Sequence, residues 1–207
     1  MKIHLMTLSA GLLLAGLSHS ALATQADDTS IMITGHTPGV TPFISQVTLH
    51  ASDTSVIKSV EFSIAPKSGS VTRPLAGTYS NSYLAARGDL QSGTGEIFLP
   101  VYGLYSGFGN TVTLTYNFTD GSSKQDTTTI TTTAFTHPCG LGDPTVLQAR
   151  TKSKSLSYDF MLVKNGCGGG FEPAILDTDG ALRWVSPTGF SVIPSAFFDN
   201  AIYQSEG

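Results

Sequence analysis

The sequence predicts an all-β protein: an N-terminal immunoglobulin- or fibronectin-like β-sandwich, then the first blade of an incomplete β-propeller. Three observations carry this. Charged residues make up only 13% of the 207 residues, while Gly, Ser and Thr abound, so few helices are expected. Short alternating runs recur at roughly ten-residue spacing over about 105 residues, as in a sandwich. Beyond residue 137 the runs change character and reach a tight Asp-rich turn.

Residues 1–23 read as an export signal. Lys2 gives a positive start, Leu12 to Leu17 lies in an apolar run too short to span a bilayer, and Ala21-Leu22-Ala23 spells a cleavage site. Thr24 is the expected mature N-terminus and the bacterial periplasm the expected destination, with no membrane insertion. Removing residues 1–23 takes away Lys2 and no acid, so 10 Lys+Arg face 15 Asp+Glu, a net charge of −5. That balance argues against nucleic acid or an anionic membrane as partner, since both demand a basic surface.

Residues 24–136 are assigned to the sandwich. Residues 24–29 are polar and read as a loose lead-in. Ile31 and Ile33 alternate with Met32 and Thr34, and residues 35–39 read as a turn. Phe43, Ser45, Val47, Leu49 and Ala51 mark one face of the next strand, and Val60, Phe62 and Ile64 one face of the third. Val71 to Leu75 reads as a short edge strand, because Pro74 cannot donate to a ladder. Ser80 to Arg87 is the helix candidate, with Ser80 as N-cap and Gly88 just past its end. Ile97 to Tyr102 is apolar without a break, as a strand covered on both faces would be. Gly103 to Asn110 supplies a turn, and Val112, Leu114, Tyr116 and Phe118 alternate with polar residues. These two strands are expected at the centre of one antiparallel sheet. A Thr-rich strand from Asp126 to Phe135 closes the domain.

At His137-Pro138 the pattern breaks, so residues 137–207 are read as linker and propeller blade. Strands are expected from Leu156 to Phe160, around Ala174-Ile175-Leu176, over Ala181 to Val185, and from Phe197 to Tyr203. Asp177-Thr178-Asp179-Gly180 makes the tight turn. A propeller needs about 4–8 blades, so further blades are expected beyond Gly207, in a parent of which this chain is a fragment or truncation.

Candidate chemistry is sparse. Cys139 and Cys167 are the only cysteines, and in an exported protein a disulfide is the natural reading. A reactive thiol or half a metal site is the weaker alternative, since no His or second Cys sits at ligand spacing. Outside the signal the histidines are His36, His50 and His137, none with a Ser, Cys or carboxylate at motif spacing. His137 stands out only because clefts form where domains meet. Asp177 and Asp179 lack the further ligands of a calcium loop, so turn chemistry explains them more simply. The Gly166 to Gly170 run lacks a P-loop lysine and reads as a flexible loop. Arg87-Gly88-Asp89 and Asn117-Phe118-Thr119 spell an adhesion tripeptide and a glycosylation sequon by letters only. No nucleotide, haem or metal motif is visible, no cofactor is expected, and no catalytic residue is assigned within the chain.

Thr41-Pro42-Phe43, and above all Leu99-Pro100-Val101-Tyr102-Gly103-Leu104-Tyr105 followed by Asn110-Thr111-Val112-Thr113-Leu114, resemble the N-terminal domain of bacterial aryl-sulfate sulfotransferases. The Ile175 to Val185 segment, which looks like a propeller blade, follows in the family's order. The resemblance implies a periplasmic enzyme with a sandwich before a six-bladed propeller. Such enzymes move a sulfuryl group from a phenolic sulfate ester to a phenol through a sulfated histidine in the propeller channel. It implies a small phenolic donor and acceptor as partners of the full-length parent, and a sandwich that braces the propeller or shapes a homodimer contact. No histidine in residues 24–207 matches the catalytic motif, so this chain alone is expected to be inactive. Two other readings stand beside this one: a secreted immunoglobulin-like binding or adhesion module, and the front end of a quinoprotein-type propeller.

Overall fold

The computed structural model describes residues 23–137, 140–141, 144–151, 156–167, 170–186, 195–198 and 201–204. Eight strands come first: β1 (Ile31–Pro38), β2 (Ile44–Ala51), β3 (Ile57–Ile64), β4 (Leu75–Ser80), β5 (Leu90–Gln91), β6 (Glu96–Tyr102), β7 (Gly109–Phe118) and β8 (Ser123–Thr131). They form two antiparallel sheets, β1-β2-β6-β5 and β4-β3-β7-β8. Between the sheets lie Val47, Leu49, Val60, Phe62, Leu99, Val112, Leu114 and Tyr116, all fully buried. All but Leu99 are residues the period-two pattern selects. A one-residue slip in any strand would turn its apolar set to solvent, at about 1.5–3 kcal/mol for each large side chain.

Two short helices complete this part. In α2 (Asn81–Arg87) the Ser80 hydroxyl accepts from the Tyr83 amide, and Gly88 ends the helix at φ 76°, as expected. Helix α1 (Gln25–Asp28) replaces the expected loose lead-in. Thr24 and Asp27 form a reciprocal capping box, and the Gln25 amide donates to Asp120 at 2.8 Å, tying the helix to the β7–β8 turn.

Several expectations need correction. Residues 35–38 continue β1 rather than turning, because a register shift between Ile33 and Gly35 absorbs the glycine as a bulge. The edge strand starts at Leu75, after Pro74 instead of through it, since the ladder needs the amides proline lacks. The pair β6 and β7 does not share a sheet: each is central in its own, and residues 103–108 carry the chain across. Nor is β6 covered on both faces; Ile97, Leu99 and Val101 are buried, whereas Phe98, Pro100 and Tyr102 are half-buried. Strand β8 runs from Ser123 to Thr131, which frees Phe135 to pack elsewhere.

Five strands follow: β9 (Phe160–Cys167), β10 (Gly170–Asp177), β11 (Leu182–Val185), β12 (Ser195–Phe198) and β13 (Ala201–Gln204). The first three form an antiparallel sheet in the order β11-β10-β9, and β12 pairs with β13 as a hairpin, where one strand from Phe197 to Tyr203 was expected. Gly166, Cys167 and Gly170, expected in a flexible loop, are paired strand residues, with Cys167 opposite Gly170; Gly168 and Gly169 lie outside the described residues. Strand β9 begins at Phe160, and Tyr158 before it is exposed.

A second core holds Leu141, Ala174, Leu176, Leu182 and Val185 together with Phe43, which is fully buried. Phe43, expected on the inner face of the sandwich, instead leaves it and packs its ring 5.1 Å from that of Phe135. Phe43 and Phe135 of the first part thus share a core with residues of the second.

Candidate functional site

Among the described residues, the polar chemistry concentrates where the β9–β11 sheet meets the sandwich. The seat is built from the loop between β6 and β7. Asn110, wholly buried, accepts from the Tyr105 amide at 2.8 Å and donates to the carbonyls of Tyr105, Phe108 and Ile130 at 3.0, 3.1 and 3.3 Å. One side chain therefore fixes the whole turn. Gly103 enters it at φ 80°, and an added Cβ would lie 2.4 Å from Leu75 Cδ1. The positive φ favours glycine there, and any Cβ would also push the Leu75 methyl aside.

Arg183 of β11 drops into this seat and is only 1% exposed. Its Nε donates to the Gly103 carbonyl at 2.8 Å and its Nη1 to Asp177 Oδ2 at 3.0 Å. The guanidinium lies 3.8 Å from the Tyr105 ring centre, close enough for a cation–π contact. Its Nη2 is buried with no partner among the described residues. Asp177 serves both roles at once, because its Oδ1 accepts from the amides of Asp179 and Ala181 and so shapes the turn.

Two further carboxylates reach back to residues 70–73. Asp179 Oδ2 accepts from the Ser70 hydroxyl, from the Val71 and Thr72 amides at 3.1 Å each, and from the Thr72 hydroxyl at 2.6 Å. Burial pushes its pKa up, but the Ser70 and Thr72 bonds outweigh that and hold it below the usual carboxylate range. Asp159, 6% exposed, pairs with Arg73 and with Arg150 Nη1 at 2.7 Å. Burial again raises its pKa, and hydrogen bonds from Arg150 and Arg73 bring it lower on balance.

A cleft of about 700 Å³ opens beside these contacts, lined by Arg73, Leu75 and Tyr102 from the sandwich side and by Tyr158, Asp159, Phe160, Ile175, Arg183 and Trp184 from the other. This lies within the range of small-molecule sites. Burial raises the pKa of Tyr102, so its phenol stays protonated.

The residues singled out from sequence fare unevenly. Asp177 does shape the turn and also holds Arg183, while the Asp179 carboxylate reaches across to residues 70–72. His36 and His50 are exposed on β1 and β2. His137 does not line the cleft; its ring stacks on Phe135 at 6.1 Å. Arg87 pairs with Asp89 at 3.0 Å beyond the helix end, and Asn117 donates to Ser59 Oγ at 3.3 Å. The proposed signal over 1–23 falls almost wholly outside the described residues, as does the pairing of Cys139 with Cys167. Sequence reasoning missed Arg73, Asp159 and Arg183. The available signal was an arginine inside the apolar run Leu182 to Val185, which in so weakly charged a chain calls for a buried partner.

Residues 42–133, which span β2 through β8, match the family model described as the Arylsulfotransferase Ig-like domain. No curated protein matches the chain.

Proposed function

We propose that the chain is the front end of a periplasmic aryl-sulfate sulfotransferase-like protein, because residues 42–133 match the arylsulfotransferase Ig-like domain. The sandwich braces the first propeller blade, built from β9 to β13, and the remaining blades carry the transferase centre. The observation that carries this reading is the seating of Arg183 on Gly103 and Tyr105. The seat is made by the very segment, residues 99–110, that resembles the family, so the shared motif has a physical task at the junction. The export signal around Lys2 and Ala21-Leu22-Ala23 supports a periplasmic location.

In the parent, a histidine outside this chain takes the sulfuryl group from a phenolic sulfate ester and passes it to a phenol. An imidazole nucleophile suits that exchange when cationic neighbours hold the sulfate's charge. Here the buried arginines are committed to aspartates and to the sandwich, which fits bracing better than catalysis. Two measurements test the proposal. Purified residues 24–207, mixed with 4-nitrophenyl sulfate and phenol, should release no nitrophenol above a buffer blank; turnover would overturn the placement of the nucleophile. Reading the coding frame past Gly207 should reveal blade repeats of about 40–50 residues each, and a stop codon there would overturn the enzyme reading.

A further inference from the structure

We propose that cleavage after Ala23 completes a charged clasp: the new α-ammonium of Thr24 pairs with the Asp27 carboxylate and fastens the mature N-terminus to the β7–β8 turn. The proposal rests on the reading of residues 1–23 as an export signal removed at the Ala23–Thr24 bond, and it states where the charge made by that cut goes.

The acceptor is already in place. The Thr24 backbone nitrogen donates to Asp27 Oδ2 at 3.1 Å, and the Thr24 hydroxyl donates to the same oxygen at 2.7 Å. Ala23 is exposed, so the scissile bond sits at the outer edge of this arrangement. Hydrolysis adds one water across that bond. Ala23 leaves with a carboxylate, and the Thr24 nitrogen becomes an ammonium. A neutral amide donor facing Asp27 is thereby replaced by a cation, and the hydrogen bond becomes an ion pair between two full charges.

The surroundings favour that charge. Backbone dipoles ordinarily disfavour a cation at a helix start. Here Asp27 and Asp28 occupy the first turn of α1, and Asp120 lies beside it, accepting from the Gln25 amide at 2.8 Å. The nearby cation, Lys124, donates to the Thr29 carbonyl at 3.4 Å. Hydrogen bonds from the Thr24 hydroxyl and amide hold the Asp27 carboxyl below its ordinary range, so it is ionised at neutral pH. The helix is in turn tied to the sandwich. Gln25 Oε1 accepts from the Thr119 hydroxyl and the Asp120 amide at 3.0 Å each, and the Ala26 amide donates to Ser122 Oγ at 3.1 Å. Fixing Thr24 therefore fixes the strand-to-strand turn that α1 grips.

Three chains test the clasp: residues 24–207, the same chain with Asp27→Asn, and residues 23–207, in which the ammonium moves one residue outward. Each α-amino group is acetylated with a limiting amine reagent, and the mass of the N-terminal peptide gives the rate. At pH 7 Asp27→Asn should label about threefold faster than the parent, the scale of a well-placed exposed ion pair. At about pH 10, where both amines are neutral, the two rates should converge; a merely steric shield would keep them apart. Amide exchange at Gln25 and Ala26 should be about threefold faster in 23–207 than in 24–207. Equal labelling at pH 7 with both chains folded by circular dichroism, a difference that persists at pH 10, or equal exchange with and without Ala23 would each overturn the clasp. The mass of the protein exported after expression from Met1 tests the cut by itself. Thr24 as first residue supports it, and any other first residue overturns the cleavage reading however the labelling falls.

Discussion

Replacing Asp179 by alanine tests the junction most directly. One carboxylate oxygen accepts from the Ser70 and Thr72 hydroxyls and from the Val71 and Thr72 amides. Hydrogen bonds to a charged group contribute about 1.5–3 kcal/mol each, but four that share one oxygen are far from additive. The hydroxyls can turn elsewhere, and the Thr72 amide has Ser70 Oγ at 3.1 Å as a second acceptor. The Val71 amide has no such substitute among the described residues. The Val71 bond is therefore the loss nothing replaces, at the upper end of that range, roughly 3 kcal/mol. Asp179→Asn keeps an oxygen in place and removes the charge, so about half that loss is expected. In a chain of this size 3 kcal/mol lowers the melting midpoint by about 6–12 °C. Amide exchange localises the effect: Val71 should exchange about a hundredfold faster in the alanine variant, with β2 and β7 unchanged. A loss under about 0.5 kcal/mol, the range of an exposed ion pair, with Val71 protection intact, would refute the anchoring role.

Three more outcomes are expected. Asn110→Ala removes the buried centre of the 103–109 loop and should cost about 3–4 kcal/mol in urea unfolding, because three carbonyls and one amide lose their partner; a loss below about 1 kcal/mol would contradict it. Asp159 and Asp179 both have folded pKa values below the ordinary 3.8, so their stabilisation is complete above that value and disappears as pH falls through the folded values. The melting difference between wild type and Asp179→Asn should accordingly shrink below about pH 3.8, and a difference that persists at lower pH would speak against ionic anchoring. A disulfide between Cys139 and Cys167 closes a 29-residue loop and would contribute about 3–4 kcal/mol; thiol titration of the denatured, unreduced protein should find none, and two reactive thiols would exclude the bridge.

What the sequence disclosed follows from which forces are local. Period-two alternation located the buried faces of β2, β3 and β7, because strand geometry alone decides which side chains share a face. The caps of α2 were legible for the same reason: Ser80 and Gly88 act within one turn. Partner choice was not. Nothing inside residues 96–118 says that β6 and β7 lie in opposite sheets, since each finds a partner strand 46 to 61 residues away, in β2 and β3. Phe43 obeys the parity of β2 and still packs in the second core, because alternation specifies a side and not which body lies beyond it. Asp177 and Asp179 were read as turn residues and are, yet Asp177 has a second oxygen that takes Arg183, and the Asp179 carboxylate is spent on residues 70–72, uses that depend on tertiary neighbours. The cleft was the least legible part, assembled from loops and strand ends with no shared period.

The Asp179 anchor joins residues 107–109 positions apart, and that separation governs when it can form. As the chain emerges from its N-terminus, strands β1 to β8 can condense before Asp179 exists outside the ribosome or the export channel. During that interval residues 70–73 lack the Asp179 and Asp159 carboxylates that hold them in the finished protein. Closure of so distant a contact carries a large loop entropy that only a preformed seat repays. The anchor therefore belongs to the last step of assembly, and its strength is felt in how slowly the finished protein opens rather than in how fast the sandwich forms.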